Sequence, residues 1–403
     1  MTQIWSAWGG PGDADYQALA AEFRPVFARI RDGALAREQQ RALLFEPLNW
    51  LKALRFGALR LSREQGGYGA TLEQLFALLS ELSEADANVT QSLRAHFGFT
   101  ESVLAAPDSE KCARWLPHIA RGAWVGNAWS ETGNARQGTF STRITPQGDD
   151  FLLNGEKYYT TGSLYADWIN VGVSDPEGEW VNVVVDRHHP GVEVVDDWHG
   201  FGQRLTASGT TRFVDVPVAA ADITRHQQAS SSEPAFYQLY HLATLTGIAR
   251  AAAAEVAAAV RHRQRSYSHG NGNRAALDPQ ILQVVGQVQS AAYGAGAIVQ
   301  QGARALSRAA ASDEPGRDLA NQQAELEVAQ GQTVVSGLVL DAVTRLFDAL
   351  GASATAQSAG LDRHWRNART LVSHNPWVYK ARIVGDYAVN GSEPGYQWRI
   401  GSA

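Results

Sequence analysis

The chain has 403 residues, 44% of them hydrophobic and 19% charged, with a net charge of −6 and a pI near 6.0. This is the composition of a soluble protein with two or three core-forming units, and without a long basic run it argues against nucleic acid or an anionic membrane as partner. Neither a secretory leader nor an apolar run long enough to span a membrane is evident, so a cytoplasmic location is expected.

Cys112 is the only cysteine and Met1 the only methionine, although 12 positions are Trp. One thiol excludes an internal disulfide and a cysteine-based metal cluster, and no metal site is expected. Two explanations stand for so little sulfur: genomic base composition, or selection for low sulfur in a protein made when sulfur is scarce.

Apolar residues recur at helical spacing from 13 to 120, which predicts an N-terminal helical domain over 1–120. Thr71 and Gln74 have the spacing of a capping box. The loop before it, Arg63-Glu-Gln-Gly-Gly-Tyr-Gly69, has glycines suited to a tight turn. No strand leads into it, so it is not read as a phosphate cradle. His96 falls in the next helix, either as a buried, satisfied histidine or as one facing a cleft.

From 121 to 225 the period changes to two, with strands expected near 151–162, 167–174, 179–186 and 210–218. Asp175-Pro-Glu-Gly178 and His188-His-Pro-Gly191 separate them as turns, and His188-His189 is read as surface loop rather than metal ligand. The stretch from Gly126 to Ser163 is rich in hydroxyls and small residues. Sparse polar groups of that kind can orient a flat heterocycle.

Helical spacing returns from 226 to 403. Asp278-Pro279 supplies a cap residue and a first-turn proline, and Gly351 is placed to end the helix from Leu319 to Leu350. Four long apolar helices in series predict a bundle, and their alanine-rich faces predict an oligomer. Arg261, Arg263 and Arg265 with His262 and His269 suit either a phosphate or a helix C-terminus. No dinucleotide fingerprint, Walker A loop, nucleophile elbow or zinc-protease motif is present.

The order helical domain, small β domain, helical bundle resembles the acyl-CoA dehydrogenase superfamily, across nearly the whole chain. Arg63 to Gly69 looks like its E-x-G-G-x-G loop, and Ala128-Trp-Ser-Glu131 like its A-L-T-E flavin segment. Asn154-Gly-Glu-Lys157-Tyr-Tyr-Thr-Thr161 is similar to N-G-x-K-x-W-I-T, and Gly202 to Thr210 with Val214-Asp-Val-Pro217 to the G-x-R-x-S strand pair and its exit. The fold implied is α+β: an N-terminal helical domain, a central small sheet or barrel, and a C-terminal four-helix bundle.

Typical dehydrogenases of the family end in R-D-A-x-x-x-x-I-Y-E-G-T, whose glutamate removes a substrate proton. Here Asn375 stands at that glutamate and cannot take a proton. The alternative base position, near Phe236, holds no carboxylate either. Leu361-Asp-Arg-His-Trp-Arg-Asn-Ala-Arg-Thr370, His374 and Gly162-Ser163 are instead similar to the flavin-dependent monooxygenases of this fold, of the dibenzothiophene and sulfone type.

That resemblance implies a homotetramer that takes reduced FMN from a separate NAD(P)H-dependent flavin reductase. It implies oxygenation of a small, organosulfur substrate through a C4a-hydroperoxide in sulfur acquisition. An FAD-dependent acyl-CoA dehydrogenase or oxidase with a relocated base is the alternative, and a silent flavin-binding assembly a third. The cofactor is then expected against Asn127, Ser130, Asn134, Tyr159, Thr161 and Ser163, with Arg265 from a neighbouring subunit and Ser353 at its phosphate. Tyr159 packs in the core on the competing reading. Ser163, His374 and His96 are the expected catalytic groups, His374 also touching the cofactor, and His96, Trp198 and Asn375 the substrate side. The competing reading of His374 is a helix-end cap.

Overall fold

Side-chain caps open four of the six described α-helices in the first third. Helix α1 (Ala14–Gln40) starts at Asp13, whose carboxylate accepts the Tyr16 N–H at 2.6 Å, and ends at Arg41 in the left-handed region. Helices α2 (Phe45–Ala53), α3 (Leu72–Ala85), α4 (Ala87–Ser92), α5 (Arg94–Leu104) and α6 (Glu110–Ala120) follow. The expected capping box opens α3: Thr71 Oγ1 accepts the Gln74 N–H at 3.2 Å, and Gln74 Oε1 accepts the Thr71 N–H at 3.1 Å. The structure, a computed structural model, describes residues 7–9, 11–132, 139–225, 232–313 and 315–395.

Eight strands make one mixed sheet: β1 (Val125–Ala128), β2 (Arg143–Gln147), β3 (Asp150–Lys157), β4 (Trp168–Ser174), β5 (Trp180–Asp186), β6 (Val192–Val194), β7 (Thr211–Val218) and β8 (Ile223–Arg225). Their order is β6-β7-β3-β2-β4-β5-β8, with β1 parallel to β4. Alternate residues such as Ile144, Leu153, Val171, Val183 and Phe213 build its own core. A second small core, of Phe99, Trp115, Val125 and Val184, fastens α5 and α6 to the sheet.

Helices α7 (Glu233–His262), α8 (Pro279–Ala310), α9 (Arg317–Arg345), α10 (Asp362–His374) and α11 (Val378–Asn390) complete the chain. Three of the five are long, at 30, 32 and 29 residues, rather than the four expected from the apolar pattern. Asp278 caps α8 as expected, its carboxylate accepting the Gln280 N–H at 2.9 Å. The helix expected to run to Leu350 turns into a 3-10 segment at Leu346, with Gly351 beyond it at φ 73°. Among the described residues α7 alone is long and apolar enough to cross a membrane, yet most of that stretch is buried in the bundle.

The N- and C-terminal helices share one core, which runs from Phe23, Phe56 and Phe76 to Leu239, Val299 and Val339. α3 packs along α7, and the two backbones meet where Gly247 faces Ser80 and Ser83. A Cβ at Gly247 would lie 2.3 Å from Ser83 Cβ and 2.6 Å from the Ser80 carbonyl oxygen, and Ser83 donates to the Thr244 carbonyl at 2.6 Å. Gly247→Val is therefore expected to destabilise by about 1–3 kcal/mol, the usual cost of overpacking. A thermal midpoint equal to wild type would remove this crossing as a constraint.

Candidate active site

A buried ion pair organises the hydroxyl-rich stretch. Lys157, at the end of β3, is fully buried, and its Nζ donates to Glu131 at 2.8 Å and to the Trp129 carbonyl at 3.2 Å. The ammonium also lies 3.6 Å from the centre of the Phe140 ring. Glu131 accepts in addition the N–H groups of Ser141 and Thr142 at 2.8 and 3.0 Å. Burial alone would raise the Glu131 carboxyl; Lys157 and those N–H groups outweigh it and hold it at about 2. Burial pulls Lys157 down to about 8, against the pull of Glu131.

Above the pair, Tyr158 N–H donates to the Ser130 carbonyl at 2.9 Å, and the chain turns at Tyr159 with φ 61°. Tyr159 is 50% exposed, so direct contact with a ligand is open to it and plain core packing is not what it does. Its ring stands edge-on to Trp198 at 6.1 Å, which joins an expected cofactor residue to an expected substrate residue. Thr161 Oγ1 and Ser208 Oγ share a hydrogen bond of 2.7 Å. Gly162, at φ 79°, admits the Ser92 carbonyl, which would sit 2.1 Å from a Cβ there.

Ser163 is fully buried, and its hydroxyl donates to the Asn127 carbonyl at 2.9 Å. It therefore stands behind half-buried Asn127 rather than open to a ligand. Ser163 and His374 make no hydrogen bond to each other among the described residues; Ser92 at the end of α4 and Arg94 at the start of α5 lie between their contacts.

On the helical side, Arg94 Nη2 approaches His374 Nε2 at 3.3 Å. A guanidinium only donates, so Nε2 accepts and the imidazole proton resides on Nδ1. The Asn375 side chain hydrogen-bonds the same imidazole. His374 keeps surface open to solvent at the end of α10. Crowding by protein, with the Arg94 cation, pushes its pKa down, so it is neutral near pH 7. The His241 ring, on α7, is 4.5 Å from that of His374.

His96 is not part of this group. Its Nδ1 accepts the Val125 N–H at 3.3 Å and its Nε2–H donates to the Gly57 carbonyl at 2.9 Å. Burial lowers it to about 4, so it is a neutral strut between the 3-10 turn at Phe56 and β1. Both ring nitrogens are spent, which corrects its expected catalytic and substrate roles.

Arg265 is exposed beyond the end of α7, and Ser353 is exposed in the loop after α9. It is Arg263, not Arg265, that holds that loop, donating to the Leu350 carbonyl. Asn134 lies outside the described residues. The residues that the sequence reading missed are Arg94, Tyr237, Gln238 and His241. Tyr237, Gln238 and His241 share one face of α7 at helical spacing, the one signal that could have marked them.

Buried polar atoms without a protein partner include both amide atoms of Gln203, in the segment before β7, and, on α7, both amide atoms of Gln238 and both ring nitrogens of His241. Gln203 lies where the segment before β7 meets α10, its N–H bound by Asn367 Oδ1 at 2.7 Å. Gln203, whose backbone carbonyl accepts the Trp198 Nε1–H at 3.0 Å, puts orphaned donors and acceptors beside half-open Trp198, which is what a flat, polar-edged group such as a flavin requires. The residues present fit one.

Comparison with known proteins identifies the fold. Residues 128–216 match the acyl-CoA dehydrogenase middle domain and residues 239–377 the acyl-CoA dehydrogenase C-terminal domain. The chain is 28% identical over 367 residues to a dibenzothiophene monooxygenase of Mycolicibacterium goodii, covering 85% of this chain and 87% of that one. It is 25% identical over 337 residues to a probable FMNH2-dependent monooxygenase of Pseudomonas putida, covering 82% and 84%. The crystal structure of TdsC from Paenibacillus sp. A11-2 with FMN and indole superposes with a TM-score of 0.83 at 27% identity, covering 94% of this chain and 98% of that one.

The ion pair sets a pH window. Glu131 is held at about 2 against an ordinary 4.5, so its contribution to stability is complete above 4.5 and is lost as pH falls toward 2. The Lys157 end opposes it, because burying the ammonium costs stability while the lysine is charged. Lys157→Met strands the Glu131 carboxylate and is expected to cost about 3–5 kcal/mol. Denaturation midpoints of the two proteins at pH 7 check this; equal midpoints would show that the pair does nothing for stability.

Proposed function

We infer the activity from one premise: the chain belongs to the flavin-dependent monooxygenase branch of the acyl-CoA dehydrogenase superfamily. On that footing it is a reduced-flavin-dependent monooxygenase with FMN as cofactor, acting on a small organosulfur compound in sulfur metabolism. The observation that carries this is the end of α10. Where a dehydrogenase of this fold needs a carboxylate base, the chain has half-buried Asn375 and a neutral His374 facing Arg94. The one basic nitrogen of His374 already accepts from Arg94 and its pKa is pushed down to about 3, which leaves it a poor base for a carbon-bound proton.

When bound, reduced FMN supplies the electrons with which O2 delivers one oxygen atom to the substrate while the other leaves as water. The chain does the rest. Asn127, Ser130, Tyr159 and Thr161 would hold the flavin, and Ser163 positions Asn127 through its carbonyl. His374 is held in its Nδ1–H form between Arg94 and Asn375. The N–H groups left over on Arg94 and Asn375, fixed before reaction, act mainly on charge that develops in the transition state.

Arg265, exposed and without a carboxylate partner among the described residues, is the proposed phosphate ligand for a flavin bound by a neighbouring subunit. Exposed Leu282 and Tyr293 on α8, Val334 on α9 and Val378, Tyr379 and Val389 on α11 support the homotetramer this requires. A cytoplasmic enzyme served by a separate flavin reductase completes the proposal.

His374→Ala is expected to bind FMN as wild type does and to lose about a hundredfold in turnover. Reduced flavin should then be consumed with hydrogen peroxide replacing oxygenated product. Retained rate and coupling would leave His374 a helix-end cap. Arg265→Ala is expected to raise the FMN dissociation constant about ten- to hundredfold, the worth of a hydrogen bond to a charged group. An unchanged constant, measured on protein whose tetramer is verified by sedimentation, would remove Arg265 from the phosphate site.

A further inference from the structure

Arg94 is a cation without a counter-ion. Among the described residues no carboxylate pairs with Arg94, His241, Gln238 or His374. The carboxylate nearest along α7, Glu233, exerts its field on Lys111 and Tyr237, not on Arg94. What surrounds the guanidinium is neutral: the His374 Nε2 at 3.3 Å and the Tyr237 ring, whose centre is 4.8 Å from Arg94 Cζ.

The ring can lie there because residue 98, one turn further along α5, is glycine. A Cβ at Gly98 would be 2.2 Å from the Tyr237 ring. The guanidinium is thus clamped between α7 and the end of α10, which limits the directions in which its N–H groups can point.

Two further side chains of α7 leave their hydrogen-bonding capacity unused: His241, against His374, and Gln238, one turn before it. His241 is 4% exposed, its ring 4.5 Å from that of His374, and neither ring nitrogen has a partner. Gln238 is 1% exposed, one turn before it on α7, and neither amide atom has a partner. Folded proteins rarely leave such groups unmet unless something outside the chain meets them. Burial keeps His241 uncharged and the Arg94 cation opposes charge on both rings, so each carries one N–H, that of His374 directed to Asn375.

A neutral aromatic heterocycle would leave both the charge and these donors uncompensated. We propose that Arg94, His241 and Gln238 form an oxyanion pocket, and that the substrate is a small organic anion whose sulfinate, sulfonate or carboxylate head group they bind. This rests on the monooxygenase reading and narrows its substrate. Arg94 supplies the charge and up to two parallel N–H donors, His241 and Gln238 complete the hydrogen bonds, and His374 borders the atom to be oxygenated. For a sulfinate the balance is one RSO2− with O2 and reduced FMN giving one RSO3−, water and FMN. The sulfur loses the two electrons that, with the two from the flavin, reduce O2.

The test uses FMN-loaded, full-length protein. Methanesulfonate, which has no oxidisable lone pair on sulfur, is titrated calorimetrically as a head-group probe beside butanoate and neutral dibenzothiophene. Turnover of ethanesulfinate with photoreduced FMN is followed in parallel. Expected are saturable binding of methanesulfonate, a loss of at least tenfold in that affinity and a matching rise in KM for ethanesulfinate in Arg94→Gln, and partial recovery in Arg94→Lys. Butanoate binding as tightly as methanesulfonate would assign a carboxylate pocket within the same proposal.

Should Arg94→Gln not fold, His241→Phe must show the same loss of methanesulfonate affinity. Failure of both anions to bind, or equal affinities in wild type and Arg94→Gln, overturns the pocket. Oxygenated product from dibenzothiophene with no anion binding would overturn it while leaving the monooxygenase reading intact. Anion binding lost with Arg94 but no oxygenated product from any sulfur compound would support the pocket and sink the monooxygenase reading.

Discussion

The pairing of Lys157 with Glu131 is the constraint on which the hydroxyl-rich stretch depends. Each partner ends a different stretch: Glu131 follows β1, and Lys157 closes β3. Buried charges tolerate little displacement, because each ångström of separation exposes the desolvation penalty that the partner offsets. The pair therefore fixes the heights of Trp129 and Ser130 relative to Tyr158 and Tyr159. The Ser130–Tyr158 bridge and the contacts from Thr160 to Gly209 inherit that register. A sheet with its own apolar core would still form without the pair; the loop geometry above it would not be specified.

The helical half of the site rests on a different principle. Helices α5, α7 and α10 come from distant parts of the chain and are set by one shared apolar core, with small residues at the crossings. Close approach of backbones brings Arg94, Tyr237, His241 and His374 together without a hydrogen-bond network to draw them in. What results is a group of polar side chains in which Arg94 carries the one full charge.

Much of this was readable in the chain. Thr71 with Gln74 and Asp278 with Pro279 announced their helices because capping is local and the residues involved are three or fewer apart. The β segments were visible through alternation, and the stretch from Asn154 to Thr161 through its motif. What was not readable is long-range. Nothing in α3 says that it packs along α7 to make one core out of two expected domains. His96 offered no sign that β1 and the Phe56 turn would use up both its nitrogens. The convergence of Arg94 with His241 and His374 spans 280 residues of sequence and follows from packing alone.

The sulfur content gains a second meaning from where the one thiol sits. Cys112 is 4% exposed, in the small core with Phe99 and Trp115, and no methionine follows the first residue. A catalyst that handles O2 beside a reduced flavin releases some peroxide at every imperfect cycle. Thiols and thioethers are the side chains such leakage damages first. This chain offers no exposed thiol and, past its first residue, no thioether, so its working lifetime is uncoupled from its own side reaction.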